Sequence, residues 1–249
     1  MTSWRRHTRD TRTGTVSVGG RHPVVVRAAT AISRALPAEA AAAVAAGCQT
    51  LLVRGWSLTT GAALAAAVIR DTGVPIVAEV ASTVTAVARA RLLGCAGVRL
   101  VVRDEEAFSL RAPALTRIAH DAGLSLELAL VPPLPRDERR PLLLAEAYLR
   151  VCAMLEKNRF TNTQLAVTCT DPLTVGRAAR MLAVASDYPL LPVLLPGLPG
   201  SSPVMSASAL TYVLLAEGVS DGVWLPSAGD AVLQAQLGRE VVRTAQRFR

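Results

Sequence analysis

The sequence predicts a single α/β domain with the architecture of a (β/α)8 TIM barrel, and three observations lead to this prediction. The chain has 249 residues, which matches the usual size of one such barrel, about 250 residues. Eight short apolar segments alternate along it with segments of helical periodicity. Most helical segments end at a glycine, as at Gly47, Gly94 and Gly123, which is typical of helix ends.

The eight predicted strands are short, rich in Leu or β-branched residues, and apolar almost throughout. Parallel strands that are buried on both faces have this composition. The predicted strands are residues 24–27, 50–53, 75–80, 97–102, 125–130, 164–168, 190–194 and 222–225. Residues 16–18 precede the first strand–helix unit and are predicted to form a short strand that closes the barrel floor.

The predicted helices carry recognisable start signals. Pro37 lies in the first turn of one helix, and Asp171 followed by Pro172 forms an N-cap with a proline at the first helical position. The predicted helices are residues 37–46, 60–70, 83–93, 112–122, 140–157, 205–217 and 230–247, and one that begins after Asp171. No linker separates them, so residues 1–249 are predicted to form one domain, with a basic arm and the short strand in residues 1–22.

The composition argues against several classes of protein. The net charge is +8, but the arginines are spread along the chain without interleaved aromatic residues, so nucleic-acid binding is not expected. No apolar run reaches the length of a membrane span, and the N-terminus lacks an apolar signal core. We therefore expect a cytoplasmic protein without a membrane partner.

The four cysteines do not share a metal-ligand spacing, so no metal site is predicted. Cys48 and Cys95 each follow a glycine just ahead of a strand, which favours small buried side chains. Cys152 lies within a predicted helix. Cys169 ends a strand beside a helix N-terminus, where the pKa of a thiol can fall, but no histidine lies at a strand end to act as its base.

Several segments together resemble one enzyme family. Residues 5–9 read Arg-Arg-His-Thr-Arg and residues 16–23 read Val-Ser-Val-Gly-Gly-Arg-His-Pro, and further similarity lies at residues 73–79, 94–100, 187–190 and 214–221. In these segments, which span nearly the whole chain, the sequence resembles the barrel half of the 4-hydroxy-3-methylbut-2-enyl diphosphate synthases. These enzymes belong to the non-mevalonate pathway of isoprenoid (terpenoid) biosynthesis.

The resemblance implies a TIM barrel in an oxidoreductase that opens a cyclic diphosphate by reductive dehydration. It also implies a dimer formed through the barrels, and a C-terminal domain whose 4Fe–4S cluster is held by three cysteines and a glutamate and is reduced by flavodoxin or ferredoxin. The present sequence stops where that domain would begin and has no cysteine after Cys169. We therefore expect no iron–sulfur domain and no cofactor in this chain.

Few of the polar residues that line the family's barrel are retained. Thr30, Arg99, Asp171, Ser206 and Asp221 match, and Glu79 is a near match. Other charged or polar positions of the family fall on Leu52, Ala81, Thr168, Leu191, Pro196, Met205 and Trp224. A diphosphate carries about three negative charges and needs cations and donors directed at it, so we expect weak diphosphate binding and no ring opening by this chain alone.

Active sites of such barrels lie at the carboxyl ends of the strands, so the residues there are weighed first. Glu79 is the candidate catalytic residue, as a general base; the alternative is a buried carboxylate paired with an arginine such as Arg27 or Arg54. Residues 103–106, Arg-Asp-Glu-Glu, are interpreted as a solvated loop rather than a metal site. The candidate substrate- or anion-binding residues are Thr30, Arg99, Ser201, Ser202, Ser206, Asp221 and Ser227.

The serines follow the seventh and eighth predicted strands, where such barrels often bind phosphate, although serine before a helix is also ordinary capping chemistry. A second set of residues near the mouth of the barrel is apolar. These residues either line an apolar pocket or fill the barrel mouth as part of the hydrophobic core. It comprises Leu52, Trp56, Leu191, Met205 and Trp224.

Three functions are consistent with this sequence. The first is a catalytically inactive barrel-only relative, a pseudoenzyme that acts as a binding or assembly partner, as a homodimer or as a heterodimer with a full-length synthase. The second is a barrel enzyme repurposed for another phosphorylated or apolar substrate, which an open pocket with Glu79 and Arg99 would favour. The third is a barrel subunit of isoprenoid-precursor synthesis that needs a cluster domain supplied by another chain.

Overall fold

The computed structural model describes residues 7–20, 22–55, 61–196 and 202–247. A two-stranded antiparallel hairpin comes first, formed by β1 (Thr11–Thr13) and β2 (Val16–Val18). Eight parallel strands follow: β3 (Val25–Ala31), β4 (Thr50–Arg54), β5 (Ile76–Val80), β6 (Gly97–Val102), β7 (Ser125–Leu130), β8 (Thr163–Cys169), β9 (Leu190–Leu194) and β10 (Gly222–Trp224). All eight predicted strands are confirmed.

The eight parallel strands form a nearly closed barrel in the order β10-β3-β4-β5-β6-β7-β8-β9. The remaining seam, between β9 and β10, is bridged where the backbone N–H of Asp221 donates to the carbonyl of Leu190 at 2.9 Å. Strands and helices alternate along the chain, so the fold is the predicted (β/α)8 barrel.

The helices are α1 (Leu36–Ala45), α2 (Gly61–Thr72), α3 (Val84–Leu92), α4 (Glu105–Asp121), α5 (Arg140–Lys157), α6 (Pro172–Ala185), α7 (Pro203–Ala216) and α8 (Ala231–Arg247). A short 3-10 helix, Pro226–Ala228, precedes α8. Within the part of the chain that the structure describes, no helix has both the length and the apolar character that crossing a bilayer requires.

The predicted start of α4 at residue 112 is wrong, because the helix begins seven residues earlier. Asp104 is its N-cap, and the carboxylate accepts a hydrogen bond from the backbone N–H of Ala107 at 3.0 Å. Pro113, a residue usually found in a first turn, therefore lies inside the helix. There it removes one backbone donor, and the hydroxyl of Thr116 donates to the carbonyl of Ala112 at 2.8 Å.

The β1–β2 hairpin lies across the amino ends of the barrel strands, as the sequence predicted for residues 16–18. The hydroxyl groups of Thr13 and Ser125 are 2.9 Å apart, at the start of β7. The backbone N–H of Arg12 donates to the side chain of Asn162, just ahead of β8, at 2.7 Å. Gly14 has a φ of +57° and supplies the tight turn of the hairpin, which glycine adopts at low cost.

Alternate residues of each strand face opposite sides of the barrel wall. Leu126 and Leu128 of β7 pack in the aliphatic layer between the strands and the helices. Glu127, which lies between them in the sequence, is buried and pairs with residues of other strands, so its side chain points to the barrel interior. This alternation brings polar side chains of several strands together inside the barrel.

Candidate functional site

Charged side chains meet inside the barrel. Arg27 lies on β3, Arg99 on β6 and Glu127 on β7, and each is only 3% exposed. Strand register places Arg99 directly between Glu79 of β5 and Glu127. Buried charges are expensive unless they are paired, and these four side chains pair with one another.

Glu127 is the centre of this network. Arg99 donates from Nη1 to Oε1 of Glu127 at 2.7 Å, and Arg27 contacts the other carboxylate oxygen through its own Nη1. On its opposite side, Arg99 places Nε 3.4 Å from Oε2 of Glu79. Two guanidinium groups therefore face two carboxylates, and the four formal charges cancel.

Uncharged neighbours fix the two arginines in place. Arg27 donates from Nε to the Thr50 hydroxyl at 3.1 Å and from Nη2 to the Gln164 carbonyl oxygen at 3.4 Å. The guanidinium carbon of Arg99 lies 4.5 Å from the ring centre of Trp224, within the range of a cation–π contact.

Burial changes the acidity of both guanidinium groups. Desolvation lowers the pKa of Arg27 to about 9, and repulsion from Arg99 acts in the same direction. Desolvation also lowers the pKa of Arg99 to about 10, although the charge of Glu79 opposes this change. Both arginines therefore remain protonated near pH 7.

The rest of the described interior beside this network is largely apolar. Leu52, Val77, Leu191, Val193 and Trp224 form one buried cluster, together with Ala29. Of the five residues predicted to line an apolar pocket or fill the mouth, Leu52, Leu191 and Trp224 pack in this cluster as core. Met205 is 73% exposed on α7, away from this cluster, and Trp56 lies outside the described residues.

Two side chains replace backbone hydrogen bonds where neighbouring strands separate. Beyond the end of β10, the Gln234 side chain of α8 accepts from the backbone N–H of Ala29 at 2.9 Å and donates to its carbonyl at 3.2 Å. The same Gln234 oxygen accepts from the indole N–H of Trp224 at 3.0 Å. The Tyr148 hydroxyl of α5 accepts from the backbone N–H of Leu130 at 3.0 Å and donates to the carbonyl of Ala166.

An open cleft of about 530 Å³ lies at the carboxyl ends of β5 and β6. Glu79 reaches it with a side chain that is 29% exposed. Arg111 of α4 also lines the cleft and donates to the carbonyl of Ser82 at 3.4 Å. The cleft is also lined by Thr83, Arg103, Asp104 and Phe108, so it carries charges of both signs.

The structure brings two of the predicted site residues together, Glu79 and Arg99. Glu79 pairs with Arg99 rather than with Arg27 or Arg54, the partners named in the alternative interpretation. Glu127 was not a predicted site residue, although a lone carboxylate within an apolar strand already signals a buried partner.

The other predicted site residues make contacts elsewhere. Thr30 bonds to Glu39 on α1, and the Asp221 carboxylate, at the amino end of β10, accepts from the backbone N–H of Leu190 at 2.9 Å. Ser202 is the N-cap of α7, and its carbonyl accepts from the backbone N–H of Ser206 at 3.1 Å. Ser227 lies in the 3-10 helix and Ser201 is outside the described residues. Their roles in anion binding stay predictions.

Carboxylates at the helix N-termini serve as caps. Asp171 accepts from the backbone N–H of Thr174 at 2.8 Å, which confirms its predicted role, and Asp230 accepts from the backbone N–H of Leu233 at 2.9 Å at the start of α8. The interpretation of residues 103–106 as a loop is wrong for Glu105 and Glu106, which form the first turn of α4. Asp104 caps this helix and Glu105 pairs with Arg150 at 2.9 Å. These carboxylates place negative charge where a phosphate would otherwise bind.

The described residues do not fit an iron–sulfur cluster. Such a cluster needs several thiolates that converge in space, and among the residues that the structure describes no three His, Cys, Asp or Glu side chains form a metal-binding group. Cys48, Cys95 and Cys152 are buried in the aliphatic layer. Burial raises the pKa of the Cys48 thiol to about 11 and that of Cys95 to about 12.

Solved structures share the fold at low sequence identity. The dihydropteroate synthase of Yersinia pestis superposes with a TM-score of 0.71 at 11% identity, covering 97% of this chain and 98% of that one. A truncated 3-deoxy-D-arabino-heptulosonate 7-phosphate synthase from Thermotoga maritima superposes with a TM-score of 0.64 at 14% identity. The match covers 97% of this chain and 92% of that one. At these identities the likeness shows the barrel architecture alone.

No family model matches the sequence. Individual relatives do match, and two from the genus Frankia carry the name 4-hydroxy-3-methylbut-2-en-1-yl diphosphate synthase (flavodoxin). The protein of Frankia casuarinae is 31% identical over 252 residues and that of Frankia alni 29%. Each match covers 96% of this chain but only 65% of the relative, slightly less than two thirds of its length. Over nearly all of its sequence, this chain is a homologue of the 4-hydroxy-3-methylbut-2-en-1-yl diphosphate synthases.

Proposed function

We propose that this chain is a non-catalytic relative of the diphosphate synthases that acts as a binding or assembly partner. One observation carries the proposal: Arg27 and Arg99 inside the barrel are already neutralised by Glu127 and Glu79. A ligand with about three negative charges needs cations that are free to meet it. A diphosphate entering this interior would meet two carboxylates as well as two arginines.

The partner in this proposal is a full-length synthase or a second copy of the chain. The solvent-facing side of α6 supports an association of this kind, because it exposes Leu173, Met181 and Val184, Val184 by 91%. Arg177 and Arg180 are exposed on the same side, so the face combines apolar and basic side chains. Apolar side chains grouped on a helix surface are typical of protein contacts. The proposed assembly uses this face.

The first experiment measures chemistry and ligand binding. The purified chain, alone and mixed with a synthase that contains its cluster, is supplied with the cyclic diphosphate and a reduced flavodoxin. We expect no turnover by the chain alone and no added turnover in the mixture, and calorimetry should detect no pyrophosphate binding. Turnover above that of the synthase would contradict the proposal and would favour a subunit that works with a cluster domain in trans.

The second experiment measures association. Sedimentation of the chain, with and without a full-length synthase, should show a complex that the Val184→Asp substitution weakens at least about tenfold. Leu110→Asp on α4, at a residue that is also strongly exposed, is the matched control and should leave the complex unchanged. A monomer that binds neither itself nor the synthase would contradict the partner role.

The cleft beside Glu79 favours a second candidate function, an enzyme repurposed for another substrate. A partly exposed carboxylate backed by a buried arginine in an open cleft has the geometry of a general base or a binding group. A thermal-shift screen of phosphorylated and apolar metabolites tests this candidate. A compound that stabilises the chain but not its Glu79→Gln variant would support it, and a screen without such compounds would count against it.

A further inference from the structure

Two guanidinium groups converge on one carboxylate inside the barrel, each on its own oxygen atom. Arg99 donates to Oε1 of Glu127, and Arg27 contacts Oε2. Proteins use this arrangement to bind carboxylate and phosphate groups of ligands. In this barrel the carboxylate belongs to the chain itself.

We propose that Arg27 and Arg99 form a binding site for a small oxyanion, which the chain fills with the side chain of its own Glu127. Glu127 is then the residue that excludes external carboxylates and phosphates from the barrel interior. This inference rests on the proposed function and deepens it, because it names the residue that makes the interior unable to hold a diphosphate.

The frame of the site does not depend on Glu127. Thr50 of β4 and Gln164 of β8 hold Arg27 through separate hydrogen bonds. Trp224 of β10 and Glu79 of β5 contact Arg99. These contacts come from four different strands, so both guanidinium groups should keep their places when the Glu127 side chain is shortened.

The charge and size of the site fit a small monoanion. The four charges cancel while Glu127 is present, and the remaining three sum to +1 without it. Replacing Glu127 by Ala removes a methylene and a carboxylate group, which is the skeleton of acetate. An acetate ion can therefore restore both the missing charge and the missing volume.

The cleft approaches the site through Glu79, the only one of the four charged residues that lines it. Glu79 lines the cleft with a partly exposed side chain and also pairs with Arg99. An anion that enters beside Glu79 therefore comes within reach of the Arg99 guanidinium group.

The test uses the full chain with the Glu127→Ala substitution, titrated with acetate at constant ionic strength. Breaking a buried pair should lower the melting temperature by roughly 10 °C. Acetate at about ten times its dissociation constant should restore about 4 °C and leave the unsubstituted chain unchanged. Trp224 fluorescence, in a Trp4→Phe and Trp56→Phe background, should saturate with the same midpoint.

The matched control is Glu217→Ala, which removes a glutamate paired with Arg180 at the surface and should show no acetate response. A folded Glu127→Ala variant whose melting temperature and fluorescence do not change with acetate would overturn the inference. If that variant does not fold in buffer alone, its refolding provides the second test, since removal of Glu127 leaves a net charge of +1 that acetate can neutralise. Acetate should restore the folded circular dichroism signal where chloride at equal ionic strength does not, and equal effects of the two ions would overturn the inference.

The two proposals fail in different ways. Pyrophosphate binding by the unsubstituted chain would contradict the proposed function. No pyrophosphate binding by the unsubstituted chain, together with no acetate response of the Glu127→Ala variant, would leave the proposed function standing and remove the role assigned to Glu127.

Discussion

A carboxylate buried within an apolar strand is stable only where cations meet it, and Glu127 meets two. Removing one member of such a network leaves an uncompensated buried charge, which costs about 3–5 kcal/mol. Replacing a whole buried network by apolar residues is often neutral. Stability alone therefore does not explain why Arg27, Arg99 and Glu127 are present together, and the exclusion of external anions gives them a function.

Burial also controls the reactivity of the cysteines at the residue scale. Desolvation raises the pKa values of Cys95 and Cys152 to about 12, and both thiols are buried, whereas Cys169 is partly exposed at the end of β8. The thiolate is the reactive form. We therefore expect iodoacetamide at pH 8 to modify Cys169 at least about 100-fold faster than the buried cysteines, as followed by peptide mass spectrometry.

The same labelling in concentrated urea is the control, and there all four cysteines should react at similar rates. Native-state labelling of Cys95 as fast as that of Cys169 would contradict the burial of the Cys95 thiol.

At the scale of single elements, side chains complete the barrel wall where the strands diverge. The direct pairing of β7 with β8 extends to Leu128 and Leu165, and the Tyr148 hydroxyl bridges the two strands beyond that point. The pairing of β10 with β3 ends at Trp224 and Arg27, and the Gln234 amide continues it. Helices α5 and α8 are thereby tied to the sheet by hydrogen bonds as well as by apolar packing.

Tyr148→Phe tests the first of these bridges. The substitution keeps the ring but leaves the N–H of Leu130 and the carbonyl of Ala166 without their bridging hydroxyl, which should cost about 2–3 kcal/mol in the free energy of unfolding by urea. The Leu130 amide should also exchange its hydrogen faster. Tyr212→Phe on α7, where the ring is only partly buried, is the control, and an equal loss there would show that the bridge contributes nothing specific.

The N-cap of α6 predicts a dependence on pH. Burial acts to raise the pKa of Asp171, but hydrogen bonds from the Thr174 side chain and backbone outweigh it, so the pKa is lowered. A carboxylate whose pKa is lower in the folded state stabilises the fold above its unfolded pKa of about 4, and this contribution is lost as the pH falls through the folded pKa.

Asp171→Ala should therefore lower the free energy of unfolding by about 1 kcal/mol at pH 7, and by progressively less below about pH 4. Urea unfolding of the variant and the unsubstituted chain across this range measures the difference. Asp121→Ala, at an exposed residue near the end of α4, should show no such trend, and a cost at Asp171 that is independent of pH would contradict the capping role.

For the molecule as a whole, the strands were predictable because each strand is buried on both sides. A strand that is buried on both sides consists almost entirely of apolar residues, and such a run is recognisable in the sequence. The start of α4 was not predictable in this way, because a proline usually marks the first turn of a helix and Pro113 lies inside this one. The pairing of Arg27 with Glu127 could not be predicted from the sequence for a different reason. It joins β3 to β7 across the barrel interior, and such a contact depends on strand tilt and stagger.

Closure of the barrel depends on Asp221, and this gives the last prediction. Its backbone N–H donates to Leu190 of β9 at 2.9 Å and its carbonyl accepts from Val25 of β3 at 3.2 Å. Its carboxylate accepts from the backbone N–H of Leu190 at 2.9 Å and lies 3.4 Å from the hydroxyl of Thr8. One residue thus connects the first strand of the barrel, the last two strands and the segment leading into the hairpin.

Asp221→Ala removes the buried carboxylate and leaves the N–H of Leu190 without that acceptor. We expect a loss of about 3 kcal/mol, seen as a fall of roughly 6–12 °C in the melting temperature. Because this seam closes the whole barrel, unfolding should remain a single transition at the lower temperature, with far- and near-ultraviolet circular dichroism changing together. Asp71→Ala, at an exposed residue beside Arg70, should change the melting temperature by less than about 2 °C. A separate early transition in the Asp221 variant would show that the β9–β10 seam opens independently of the rest of the barrel.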